Sequence, residues 1–197
     1  MKTNMHSYSL DTKERKNILL ILAVMSVFIT FFFSKTLNHY QITLFWWVES
    51  PSVLFFYGLL FIIFDNWVWK LFSKIGFIKT PDLNGIWKGI LKTSFDEHTS
   101  ETKASLSIFQ RWTGIKIILT TPQSRSCSET ASFVLETPEG KYLSYQYLNE
   151  PKSGATQTMS IHRGTTRLFF DEKENTLIGE YYSGRDRQNF GSLSFKR

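Results

Sequence analysis

Cysteine is almost absent from this 197-residue chain. Cys127 stands alone, so no intramolecular disulfide can form and a structural zinc site built on cysteines is excluded. The four histidines, His6, His39, His98 and His162, are scattered without the His/Cys/Asp spacing that a metal requires. No Gly-x-Ser-x-Gly elbow, Walker-type loop, dinucleotide fingerprint or kinase signature occurs. No metal, cofactor or catalytic activity is therefore expected. Internal repeats and low-complexity segments are missing as well.

What the chain does have is two long apolar stretches near its N-terminus, at about residues 18–37 and 51–71. A helix rises about 1.5 Å per residue, so roughly 20 residues cross a hydrocarbon core of about 30 Å. Both stretches meet that length, and residues 1–79 are expected to form a two-helix membrane anchor. Ser50 and Pro51 read as N-cap and first helical residue of the second span. Trp46 and Trp47 on one side, and Trp67 and Trp69 on the other, suit interfacial belts. A cleaved signal peptide is the rival for the first stretch, but Ser34-Lys35-Thr36-Leu37 offers no small-x-small cleavage site. Helices buried in a soluble core are disfavoured because Phe31-Phe32-Phe33 leaves no polar face. Asp65, inside the second stretch, either faces protein or water or reaches up to the headgroups.

The formal charge of +6 divides into +4 over residues 1–79 and +2 over residues 80–197. Lys2, Lys13, Arg15 and Lys16 precede the first span and Lys70, Lys74 and Lys79 follow the second, whereas the connecting loop holds only Lys35. The positive-inside rule puts both termini in the cytoplasm. The excess is a topology signal, and no DNA or RNA duplex is expected as a partner.

From Thr80 onward the hydrophobic period changes from 3.6 to two. Eight strands are predicted, at residues 85–94, 102–112, 114–121, 127–137, 141–148, 158–170, 176–183 and 189–196. The breaks carry turn residues, among them Thr121-Pro122-Gln123, Pro138-Glu139-Gly140 and Gly184-Arg185-Asp186. An even number of meandering strands can pair first with last and abolish both edges. Residues 80–197 are thus expected to fold as an all-β, eight-stranded antiparallel, lipocalin-like barrel, its interior either filled or holding one small ligand. Gly85-x-Trp87 matches the start of lipocalin-like barrels, where the indole plugs one end; a plain core tryptophan fits equally.

Two polar runs carry the binding chemistry: Ile161-His162-Arg163-Gly164-Thr165-Thr166-Arg167, and Gly179-Glu180-Tyr181-Tyr182-Ser183-Gly184-Arg185-Asp186-Arg187. Arginine grips phosphate oxygens bidentately, tyrosine stacks on bases, and glycine lets backbone N–H groups approach closely. The bland alternative is a solvated turn at Arg185-Asp186-Arg187, with Tyr181 and Tyr182 straddling the sheet. Tyr142, Tyr145 and Tyr147 are further stacking candidates, each equally suited to a core.

The two spans, followed by Pro81-Asp82-Leu83-Asn84-Gly85-Ile86-Trp87-Lys88-Gly89, His162-Arg163-Gly164-Thr165, Gly179-Glu180-Tyr181-Tyr182-Ser183-Gly184-Arg185 and Gly191, resemble the membrane-tethered β-barrel effectors of bacterial CBASS anti-phage systems. The resemblance covers essentially the whole chain. It implies an inner-membrane protein whose barrel senses a cyclic dinucleotide or oligonucleotide made by a partner nucleotidyltransferase. The spans then assemble into a homo-oligomer and breach the bilayer, giving abortive infection. On that resemblance Trp87, Arg163, Tyr182, Arg185 and Arg187 become the candidate ligand-binding residues.

Two other readings stay open. A membrane-anchored lipocalin-like barrel for a lipid or other apolar ligand predicts a lumen of Phe, Leu and Ile without inward arginine. A purely structural, partner-binding barrel predicts a filled core. An enzyme would need an acid/base cluster such as Asp171, Glu172 and His162, the first two of which fall in a turn.

Overall fold

The computed structural model describes residues 4–41, 53–171, 173–184 and 188–197. It divides into a β unit, residues 1–11 with 80–197, and a helical unit, residues 12–79.

In the helical unit, α1 (Glu14–His39) packs on α2 (Val53–Ile63). A π-helical turn, Phe64–Val68, leads from α2 into α3 (Trp69–Lys74). Taken together, Glu14–His39 and Val53–Lys74 are two helices long and apolar enough to cross a membrane. Most of their apolar side chains are uncovered: Phe28, Phe31 and Phe32 on α1, and Leu54, Phe55 and Ile62 on α2, are all exposed. The π-turn contains Asp65, which is buried, and Asn66, whose Nδ2 donates to the Ile62 carbonyl at 2.8 Å. Trp67 is exposed and Trp69 is fully buried. Trp46, Trp47, Ser50 and Pro51 lie outside the described residues. The ends of the unit meet where the Lys79 N–H donates to Glu14 Oε2 at 2.6 Å.

The β unit contains nine strands, where eight are expected from the sequence. They are β1 (His6–Leu10), β2 (Gly85–Thr93), β3 (Thr102–Gln110), β4 (Gly114–Thr120), β5 (Ser124–Val134), β6 (Tyr142–Pro151), β7 (His162–Asp171), β8 (Thr176–Ser183) and β9 (Phe190–Lys196). Neighbours pair in the order β1-β4-β3-β2-β9-β8-β7-β6-β5, and the sheet closes on itself in a ring. The antiparallel β2–β9 pairing, Thr93 opposite Gly191 through Lys88 opposite Lys196, joins the first and last of the eight expected strands.

The ninth strand explains itself at the β4–β5 junction. These two strands pair only over Ile118–Thr120 against Arg125–Cys127 and then part. β1 fills the gap, antiparallel to β4 (His6 opposite Ile115) and parallel to β5 (Tyr8 opposite Ala131). A β-bulge between Ser128 and Thr130 lies at the point of parting. There the buried Ser128 Oγ accepts from the Ile117 N–H at 2.9 Å and bonds His6 Nε2 at 2.7 Å, replacing ladder bonds that the diverging strands no longer make. Tyr8 is buried, edge-on to Phe133 at 5.2 Å, and its hydroxyl donates to the Trp112 carbonyl at 2.6 Å. Asp11 Oδ2 accepts from the Leu135 and Glu136 N–H groups at 2.9 and 3.0 Å. Residues 4–11 thus belong to the sheet, whereas the sequence alone groups residues 1–79 as one anchor. A five-residue strand just before the basic cluster Lys13, Arg15 and Lys16 carries too little period-two signal to be separated from a topogenic leader.

Other boundaries shift less. β7 starts at His162, not at residue 158, because a 3-10 turn, Ser153–Ala155, holds the chain back: the Met159 N–H donates to the Ala155 carbonyl at 3.0 Å. β5 starts at Ser124, since a tight Thr121–Ser124 turn uses the Ser124 carbonyl at 2.9 Å from the Thr121 N–H.

Candidate functional site

Because side chains alternate between faces with a period of two, each strand presents one series of residues to the inside of the ring. Every series changes character along its length. β7 runs from Leu168 through Thr166 and Gly164 to His162, and β6 from Leu143 through Tyr145 and Tyr147 to Asn149. β9 runs from Phe195 and Leu193 through Gly191 to Asn189, and β5 from Phe133 through Ala131 to Ser128, Ser126 and Ser124. One end of the interior is therefore packed solid: Trp87, Leu106, Ile108, Phe133, Leu143, Leu168, Leu177, Leu193 and Phe195 form one buried cluster. The other end is hollow.

The hollow is a cavity of about 410 Å³, within the roughly 300–1,000 Å³ range of small-molecule sites. Its wall is rich in hydroxyls and amides, including Thr93, Thr102, Thr121, Ser124, Ser126, Asn149, Thr166, Ser183 and Asn189. Phe95, Tyr147 and Tyr181 add aromatic faces and Leu91, Leu119 and Met159 add apolar area. Among the described lining residues there is no lysine or arginine; the charged or titratable groups are Asp96, His162 and the two tyrosines. Several polar groups are already engaged. Ser126 Oγ donates to Asn149 Oδ1 at 2.8 Å, and the Ser124 N–H donates to Thr121 Oγ1 at 3.0 Å. Asp96 Oδ2 accepts from the Ser100 N–H at 3.2 Å, and hydrogen bonding from Ser100 holds its carboxyl below the usual range.

The aromatic wall depends on two glycines. A Cβ on Gly164 would lie 2.3 Å from the Tyr147 hydroxyl, so the ring of Tyr147 crosses β7 only because position 164 is bare. A Cβ on Gly191 would lie 2.6 Å from Tyr181 Cε1, so β9 makes the same allowance for Tyr181. Gly164, expected from the sequence to let backbone donors approach a ligand, here gives space to a tyrosine that lines the site. At the floor of the cavity Tyr145 and Thr166 stand opposite each other, and the Tyr145 hydroxyl and Thr166 Oγ1 are both buried with no third partner among the described residues. Burial pushes the Tyr145 phenol well above its ordinary pKa.

His162 begins β7 and is 7% exposed. Its Nδ1 lies 2.9 Å from the Ser160 carbonyl, and its ring stands edge-on to Tyr147 at 6.5 Å. A carbonyl only accepts, so Nδ1 carries the hydrogen and Nε2 is left toward the site.

Of the residues singled out from the sequence, the structure brings few to this cavity. Trp87 is buried at the packed end, its Nε1 donating to the Leu83 carbonyl at 3.0 Å. Arg163 points outward and bonds Glu129 at 2.9 and 3.3 Å, a pairing that lowers the Glu129 pKa and raises that of Arg163. Tyr182 also faces outward, its hydroxyl 2.6 Å from Glu180 Oε2, and that bond raises its pKa. Arg185 and Arg187 lie outside the described residues. Tyr142 is on the outer wall under the Arg167 guanidinium, 4.6 Å from its ring centre. His162 and Asp171 occupy opposite ends of β7, about 30 Å apart at roughly 3.3 Å per residue, so they form no acid/base cluster. Glu172 lies outside the described residues.

Residue type had favoured the arginines, whereas position along the strand decides what reaches the lumen. Arg163 and Tyr182 sit one residue out of step with the inward series of His162 and Thr166, and of Tyr181 and Ser183. The missed lining residues share the parity of the apolar core positions on the same strands, which is the signal that would have found them.

Residues 78–197 match the family model described as Cap15, cyclic dinucleotide receptor domain. The chain belongs to the Cap15 family. The similarity extends beyond the receptor domain: CD-NTase-associated protein 15 of Yersinia aleksiciae is 28% identical over 188 residues, covering 89% of this chain and 85% of that protein. The Cap15 domain match contains every strand from β2 to β9 and the whole described cavity wall. The resemblance drawn from the sequence holds at the level of this family. The Cap15 receptor match begins after α3, so the N-terminal strand β1 completes a ring whose other eight strands carry the family match.

Proposed function

We propose that this protein is a membrane-tethered CBASS effector that binds a cyclic oligonucleotide second messenger in the hollow end of its ring and in response assembles in, and disrupts, the inner membrane. The observation that carries the reading is the hydroxyl- and tyrosine-lined cavity of about 410 Å³ inside a segment matched to a cyclic dinucleotide receptor domain. Tyrosine faces suit base stacking, and hydroxyl and amide groups suit base edges and phosphate oxygens. A wall that mixes hydroxyl and amide groups with aromatic faces suits a ligand with polar edges and flat rings better than a purely apolar lipid chain. The protein acts by binding, without a catalytic step of its own.

Chain connectivity supports the membrane half of the proposal. Residues 4–11 and 80–197 form one sheet, so the intervening chain must leave and return on the same side of any bilayer it enters. Two crossings satisfy this and one or three do not. The positive flanks support a cytoplasmic location for that side. The ligand drives assembly by binding the assembled state more tightly than the resting one. Full-length protein reconstituted in dye-loaded liposomes should release dye when a cognate cyclic dinucleotide is added and retain it otherwise. Equal release with and without every member of a cyclic dinucleotide panel would remove ligand gating.

A further inference from the structure

A cyclic dinucleotide carries two phosphodiesters, each an anion that only accepts hydrogen bonds. An anion brought into a walled cavity must find a cation or dense donors, since desolvating an unpaired charge is prohibitive. The described wall supplies neither lysine nor arginine, and its one carboxylate, Asp96, opposes an anion. What it does supply is His162, 93% buried, lining the cavity, with Nδ1 tied to the Ser160 carbonyl and Nε2 without a partner among the described residues.

Resting on the receptor reading above, we propose that His162 is an anion-binding group of the site and that it takes up a proton when a phosphodiester oxygen reaches its Nε2. The tautomer makes the coupling obligatory. With Nδ1 donating to a carbonyl, the neutral ring has a bare Nε2, an acceptor that repels a phosphate oxygen. Only imidazolium offers an Nε2–H to that oxygen, so the contact forms together with one proton drawn from solvent, and no covalent bond changes. The other titratable groups on the wall facing His162 are Tyr147 from β6, Tyr181 from β8 and Asp96 after β2. Hydrogen bonding from Ser100 holds the Asp96 carboxyl below its ordinary range, so it does not mimic the effect. On this account the binding step carries a built-in preference for acid conditions.

The test uses full-length protein in detergent and four probes: 3′,3′-cyclic GMP-AMP, cyclic di-AMP, cyclic di-GMP and cyclic UMP-AMP. Calorimetry at pH 7 in phosphate and in Tris, whose ionisation enthalpies differ, should report uptake of more than about half a proton per ligand bound. The Kd of the best probe should tighten about tenfold from pH 8 to pH 6. His162→Gln should abolish that pH dependence and weaken binding about tenfold at pH 6. Calorimetry on the unaltered chain decides the matter even if the variant does not fold. Binding with no proton uptake and a pH-independent Kd would overturn the inference and leave the receptor reading standing. Absence of binding by all four probes at every pH would count against the receptor reading itself, and the inference would fall with it.

Discussion

The two ends of the ring interior are built from the same strands and do opposite things. At the packed end Phe133, Leu143, Leu168 and Phe195 exclude water; at the hollow end the same strands present Ser126, Asn149, His162 and Asn189 to a cavity. In between lie small or partly polar residues such as Ala131, Gly164 and Gly191. The comparison teaches that one closed sheet can carry its stability and its recognition in separate layers. Substitutions in one layer should therefore leave the other layer's property largely intact.

Four measurements can break or sharpen that division. The largest effect belongs to the packed layer: Phe133→Ala should cost about 3–5 kcal/mol in denaturant unfolding, while Ser183→Ala at the hollow end should stay within about 0.5 kcal/mol. Equal costs would mean that the interior is not divided. Next, Tyr181→Ala should weaken cyclic dinucleotide binding by about 1–3 kcal/mol, the range for a lost base stack. A binding constant unchanged by that substitution would exclude stacking on this wall. Smaller again is Tyr8→Phe, which removes the hydroxyl from the buried Trp112 carbonyl and should lower stability by about 1 kcal/mol without altering affinity.

The smallest effect concerns the outer wall. Glu129 has its pKa lowered by Arg163, so whatever their pairing contributes is present above the ordinary glutamate pKa and is lost as pH falls through the lowered value. Both side chains are solvated, and Arg163→Ala should change neither unfolding nor ligand affinity at pH 7. A clear loss of affinity would bring Arg163 back into the site and refute the inside–outside assignment of β7.

Much of this architecture is legible in the sequence. The change of period at Thr80, the turn residues and the even count of strands identify the closed sheet from β2 to β9, because burial on one face enforces alternation. The apolar runs identify both long helices. β1 is not legible, since its five residues owe their conformation to the gap left by β4 and β5, a tertiary fact with no local trace. The site is read only in part. His162, Thr166 and Tyr181 fall within runs that stand out for their polarity, yet arginine chemistry drew attention to Arg163, whose side chain the strand turns outward. Gly164 and Gly191 show the same limit: their purpose lies in rings contributed by strands distant in sequence.

The position of β1 also sets the order in which the protein can be made. This strand leaves the ribosome first, but its partners β4 and β5 follow only after both hydrophobic helices have been synthesised, and the β2–β9 seam needs the last residues of the chain. Contacts this far apart form late. Both long apolar helices are therefore complete before the ring can close around its cavity.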